Sequence, residues 1–130
     1  MNKLMRELQS CLVPLPPGED GELRATFTLE ADFSGFKGHF PGNPILPGVC
    51  MVQAVLVMFA AEKKVPVALR RIVSAKWFAP VKPGAVLRFA CQVRKDELIE
   101  TTIRAHVTCG ETKVADLSLL VIGNGKDNPA

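Results

Sequence analysis

The sequence predicts an α+β fold in which one buried helix lies in the concave face of an antiparallel sheet. Three observations carry this. Residues 48–64 have the length and composition of a helix, with apolar residues around the axis for three turns. A cleanly alternating segment precedes that helix, and a run of further strand-like segments follows it, joined by short turns that imply antiparallel neighbours. A helix that is apolar all round needs cover on every side, and the sheet provides it by wrapping.

The elements follow in order. Residues 2–10 form a short helix with Leu4, Met5 and Leu8 on one side, and "PLPPGEDG" ends it, because proline cannot continue a helix and glycine favours turns. "ELRATFTLEA" places Leu23, Ala25, Phe27 and Leu29 on one face and polar residues on the other, the pattern of a half-buried strand. A Gly/Pro loop runs from about Ser34 to Pro47. The buried helix then meets water only at Glu62, Lys63 and Lys64, and Val65-Pro66 marks its exit. Four strands complete the chain: "ALRRIVSAKWFAPV", "VLRFACQVRK" with Leu87, Phe89, Cys91 and Val93 inward, "LIETTIRAHVT" with Ile99, Thr101, Ile103, Ala105 and Val107 inward, and "KVADLSLLVI". The turns between them are "VKPGA", "KDE" and "CGET". With no internal repeat or interior linker, residues 1–130 read as one domain, with a core of about 22–122, an N-terminal segment 1–21 and a tail 123–130.

Composition narrows the function classes. Of 130 residues, 48% are hydrophobic, which suffices for one real core. A net charge of +3, no tyrosine and one tryptophan, Trp77, argue against a nucleic-acid surface. The greasiest run, Val49 to Ala61, is shorter than the ~20 residues that span a bilayer, and Arg6 and Glu7 interrupt any signal-peptide core. The expectation is a soluble, cytoplasmic protein with no membrane role. Cys11, Cys50, Cys91 and Cys109 lack metal or redox spacing, so free thiols and no metal site are expected.

The densest stretch is "GHFPGNPILPGVCMVQAV", residues 38–55. It sets a lone histidine, His39, ahead of three prolines at every third position, and then opens an apolar helix broken by one amide, Gln53. This string, followed by the helix and by "KWFAPVKPG", resembles the 3-hydroxyacyl-acyl-carrier-protein dehydratases of bacterial fatty-acid synthesis, the FabA/FabZ type, over roughly residues 22–122. The resemblance implies the hotdog fold and a dimer, or a higher homo-oligomer, with two sites at the subunit interface. It also implies acyl carrier protein as partner, and no cofactor beyond the phosphopantetheine of the carrier or coenzyme A that holds the substrate. Carried over, His39 is the catalytic base, and the backbone N–H groups of Gly48 and Val49 hold the thioester carbonyl. Phe40, Pro41, Gly42, Asn43 and Pro47 shape the loop.

The family's carboxylate position falls on Gln53, and its His-Arg-x-Pro-Phe run is replaced here by "CLVPLPPGEDG". Both departures point to a specialised member outside housekeeping synthesis.

Each assignment has a chemical reason. An unperturbed histidine, with pKa ~6.5, is largely neutral at pH 7 and suits a base. Amides at a helix start, with the positive dipole end, stabilise an enolate-like oxygen. Gly48, lacking Cβ, lets the thioester approach the backbone. An amide cannot transfer protons at neutral pH, so Gln53 leaves three readings. It orients the hydroxyl or a water while His39 makes both transfers; it marks a site that binds thioesters without catalysis; or it satisfies buried backbone groups. A hydratase, a thioesterase and a subunit completed by a carboxylate-bearing relative are the accompanying alternatives to dehydration. Val52, Val55, Leu56 and Phe59 line an acyl tunnel or simply pack the core. His106 reads as a solvated residue. Arg70, Arg71, Lys76, Lys82 and Arg88 meet an acidic carrier protein or the phosphate of its pantetheine arm, or form a solvated face.

Overall fold

The computed structural model describes residues 2–37, 42–95 and 100–123. In chain order the elements are α1 (Lys3–Cys11), β1 (Val13–Leu15), β2 (Leu23–Thr28), α2 (Gly48–Lys63), β3 (Val67–Trp77), β4 (Val86–Lys95), β5 (Glu100–Cys109) and β6 (Thr112–Gly123). Single 3-10 turns stand at Glu19–Gly21 and Ser34–Phe36. The six strands form one sheet in the order β1-β2-β4-β5-β6-β3, with every neighbouring pair antiparallel.

The core is where the alternation put it. Ala25, Phe27, Leu87, Phe89, Cys91, Ile103, Ala105, Val107, Leu117, Leu119 and Val121 are buried and form one cluster with α2. Phe27 and Phe89 meet edge to face, with centroids 5.2 Å apart, because β2 and β4 pair with Phe27 opposite Leu87 and Phe89 opposite Ala25. α1 is capped by Asn2, whose side chain accepts from the Met5 N–H at 2.8 Å, and it seats Leu8 fully in the core. α2 closes on Lys64 in the left-handed conformation (φ 60°), with the Lys64 N–H on the Ala60 carbonyl at 2.7 Å.

Four expectations change. The sheet has a sixth strand: β1 pairs with β2 inside the segment read as a helix stop. It is three residues long with Pro14 at its centre, a composition tolerated only at a sheet edge, where a missing N–H costs nothing. Val93 is not an inner residue; it is 38% exposed, because the core ends before the tip of β4. α2 is not sealed along its length either, since Val49 is 57% exposed and Gln53 and Ala60 are half-buried. Their spacing puts Val49, Gln53 and Ala60 on one stripe. Finally, the second predicted strand, "ALRRIVSAKWFAPV", stops at Trp77 as β3, which is exposed on both faces. Register shifts between Leu69 and Arg71 and between Ile72 and Ser74 break its alternation, which leaves Ile72 and Val73, adjacent in sequence, 44% and 47% exposed.

The "KDE" turn from Asp96 onward, Ile99 and the tail from residue 124 lie outside the described residues.

Candidate active site

The site is built at the start of α2. Pro47 is the N-cap residue and has no side-chain hydrogen bond to offer the first turn. The Cys50 N–H turns back to the Pro47 carbonyl at 3.0 Å. The amides of Gly48 and Val49 precede any carbonyl of the helix that could accept from them, so they point out of its end as donors. Pro47 holds φ −64° and ψ 142°, which fixes the entry. Just upstream, the Leu46 N–H donates to the Val81 carbonyl at 2.8 Å and ties the loop to the β3–β4 connection. That connection is itself tied down, with the Gly84 N–H on the Leu29 carbonyl at 2.8 Å.

These contacts enclose a cleft of about 370 Å³ beside Gly48, walled by Ile45, Leu46, Met51, Trp77, Phe78 and Pro80. It is apolar apart from the backbone, which suits an acyl thioester more than a charged metabolite. Trp77 lies on Gly48 itself: a methyl there would stand 2.7 Å from Cζ2 and 2.8 Å from Cη2 of the indole. The expected reason for glycine was access for a thioester. The packing gives a second reason, because any side chain would displace the tryptophan.

The expected residues divide into four groups. Gly48, Val49 and Pro47 come together at the helix start, with Gln53 one turn further on the same stripe as Val49. Gly42, at φ 81°, and Asn43 are exposed on the approach to it. Val52, Val55, Leu56 and Phe59 are only 2%, 1%, 8% and 5% exposed and belong to the close-packed core. His39, Phe40 and Pro41 lie outside the described residues. Among the described residues nothing hydrogen-bonds the Gln53 side chain.

The site residues not assigned from sequence are Trp77, Phe78, Met51, Ile45, Leu46 and Pro80. The signal was present in "KWFAPV", where two adjacent aromatics cannot both point into a core from one strand.

Neither buried thiol competes for the chemistry. Burial pushes the Cys50 thiol up to about 11 and the Cys91 thiol up to about 12, so both are protonated at neutral pH and neither is a thiolate nucleophile. Cys11 and Cys109 are free as well. Among the described residues no group of three His, Cys, Asp or Glu side chains is arranged to hold a metal ion, and no helix is long and apolar enough to cross a membrane. His106 is more than a solvated side chain. Its Nδ1–H donates to Asp116 at 2.7 Å while the ring stays 55% exposed. Arg70 pairs with Glu100 at 3.4 Å.

The antiparallel sheet and the helix it covers define a hotdog fold. Residues 17–115 match the family model described as ApeI-like, ApeI dehydratase, and the chain belongs to that family. It is 30% identical over 121 residues to a 3-hydroxyacyl-[acyl-carrier-protein] dehydratase FabZ of Lactiplantibacillus plantarum, covering 88% of this chain and 81% of that one. It is 31% identical over 123 residues to the FabZ of Wolbachia sp. subsp. Drosophila simulans, covering 88% and 84%. In fold it resembles the dehydratase heterocomplex ApeI:P from Xenorhabdus doucetiae, with a TM-score of 0.61 and 22% identity over 85% of this chain and 97% of that one. A hypothetical thioesterase with coenzyme A from Streptococcus pneumoniae aligns with a TM-score of 0.68 at 11% identity, covering 94% of each chain.

Proposed function

We propose that the protein dehydrates 3-hydroxyacyl thioesters, carried on an acyl carrier protein, to trans-2-enoyl thioesters. The observation that carries this is the pair of amides at the helix start, Gly48 and Val49, of which Gly48 stands at the wall of an apolar cleft, directly after the His39 loop in sequence. The thioester carbonyl sits on those amides, and the acyl group lies against Met51, Trp77 and Phe78. His39 takes the proton from C2, and the amides hold the enolate oxygen that forms. The C3–O bond then breaks as the C2–C3 double bond forms. The departing hydroxide takes the proton back from His39 and leaves as water. Gln53 orients the hydroxyl by hydrogen bonding and transfers no proton. Losing one of two proton-transfer groups slows such a reaction by about 10²–10⁴-fold without ending it.

The acting unit is a dimer formed through β3. This strand is the sheet's outer edge, with Leu69, Ile72, Val73 and Trp77 between 38% and 48% exposed. A long apolar edge strand left open is an aggregation template unless a second strand covers it. Pairing about a two-fold axis brings each Gln53 towards the partner's cleft, as the family resemblance implies.

A second reading has its own support. Gln53 stands at the carboxylate position, and a fold neighbour is a dehydratase heterocomplex. In that reading the chain pairs with a carboxylate-bearing relative that completes the site.

An assay with carrier-linked and coenzyme A-linked 3-hydroxyacyl substrates separates the two. Enoyl product from the purified chain, increased by Gln53→Glu, supports the first. Thioester binding with no product until a relative is added supports the second. Release of free acid contradicts both.

A further inference from the structure

The outer face of the sheet carries a group of side chains that the thioester chemistry does not use. Strand pairing sets them in two rows. Ser74, Ser118 and Arg104 are direct neighbours across β3, β6 and β5, with Gln92 next on β4. The adjacent row runs Lys76, Asp116, His106. Six of these, Ser74, Lys76, Arg104, His106, Asp116 and Ser118, line one concavity of about 300 Å³. It lies on the face of β3 opposite the cleft: Trp77 turns to Gly48, and Lys76 beside it turns outward.

The charges there do not cancel. Asp116 is already committed, accepting from His106 Nδ1 at 2.7 Å and from Lys113 Nζ at 3.1 Å. Those two partners hold its carboxyl below the ordinary range, the His106 bond being the larger cause. Among the described residues neither Lys76 nor Arg104 has an acidic partner. Two cations without counter-charges therefore flank a pair of serine hydroxyls, which can donate to the same guest. Arg104 on β5 and Lys76 on β3 come from strands on either side of β6, each ~4.8 Å from it, and both line the concavity. Donors on several sides of one point suit a tetrahedral oxyanion, and a concavity of this size also admits part of the molecule bearing it.

We propose that this concavity is a binding site for a phosphate group on a small ligand, separate from the thioester cleft. Arg104 and Lys76 supply the charge, and Ser74 and Ser118 supply neutral donors. His106 is fixed in orientation by Asp116 at the rim and reports occupancy.

The chain has two histidines, so its imidazole NMR signals are few, and His39→Ala assigns them. Inorganic phosphate is titrated into the full chain at constant ionic strength, with chloride as the balancing salt. The His106 signal is expected to shift saturably. Arg104→Gln and Lys76→Gln are each expected to weaken the apparent affinity about tenfold, the effect of one charge-assisted hydrogen bond, while Arg70→Gln leaves it unchanged. Backbone spectra confirm that these exposed variants fold.

Coenzyme A and 3′-dephospho-coenzyme A identify the source. Tighter, Arg104-dependent binding of the former assigns the 3′-phosphate, and equal Arg104-dependent binding assigns the diphosphate. A response to phosphate alone assigns the free ion. The proposal is overturned if chloride reproduces the shift, if the shift does not saturate, or if both Arg104→Gln and Lys76→Gln bind as the parent does. Turnover at the cleft is read separately, so failure here leaves the dehydratase reading standing.

Discussion

The indole of Trp77 occupies the space that a side chain at residue 48 would need, with Cζ2 2.7 Å from the position of a Cβ on Gly48. The end of β3 and the start of α2 are thus packed against each other at the amides proposed to hold the thioester carbonyl. Gly48→Ala should swing the ring outward and cost about 1–3 kcal/mol, the usual penalty for overpacking. Trp77 is the sole tryptophan, so its emission reports the displacement directly. Denaturant titration of Gly48→Ala, Trp77→Leu and the double variant should show Trp77→Leu relieving most of the penalty. Strictly additive effects would mean that the contact carries no energy.

Edge pairing through β3 gives a second expectation. Ile72→Lys sets a charge on the exposed edge without touching the core. It should convert the dimer to a monomer in sedimentation experiments and lower enoyl formation together with dimer content. A variant that remains dimeric and fully active would place the interface elsewhere.

Glu7 ties α1 to the segment that leads into the His39 loop. Its carboxylate accepts from the Ser34 N–H at 2.9 Å and from the Ser34 hydroxyl. Those bonds lower its pKa below the ordinary 4.5, the side-chain bond being the larger cause. A carboxyl whose pKa falls on folding contributes stability that is complete above its unfolded value and fades as pH drops through the folded one. The α1 anchor should therefore hold at neutral pH and loosen below about pH 4.5. Amide exchange in α1 should rise there in the parent. In Glu7→Gln it should already be faster at pH 7 and lack that acid-dependent step.

Much of this was legible from sequence, for physical reasons that differ by element. β2, β5 and β6 declare themselves because one face is buried and the other wet, which is what alternation records. α2 declares itself by length and by its uniformly apolar run. β1 did not, because three residues around a proline carry no period. β3 was found as a strand, but its exposure on both faces was not, since an apolar edge and an apolar core strand look alike in composition. At the site, the amides of Gly48 and Val49 followed from the motif, whereas the Trp77 contact depends on how two distant segments pack.

In the proposed reaction, the close-packed core along α2 limits how far the acyl chain can extend. Val52, Val55, Leu56 and Phe59 are at most 8% exposed, and Leu56 is the most open of them. Short 3-hydroxyacyl substrates should be preferred. Leu56→Ala should shift the preference to longer chains while destabilising the fold by about 2–5 kcal/mol. Ratios of kcat/KM across a chain-length series test this; an unchanged profile would place the acyl group along another path.

The most direct measurement is the yield of trans-2-enoyl thioester from a carrier-linked 3-hydroxyacyl substrate, comparing the parent with His39→Ala at matched stability and dimer content. The account predicts enoyl product from the parent and none above background from His39→Ala, with substrate still bound. Equal product from both would remove His39 as the base and contradict the assignment of this helix end as a dehydratase site.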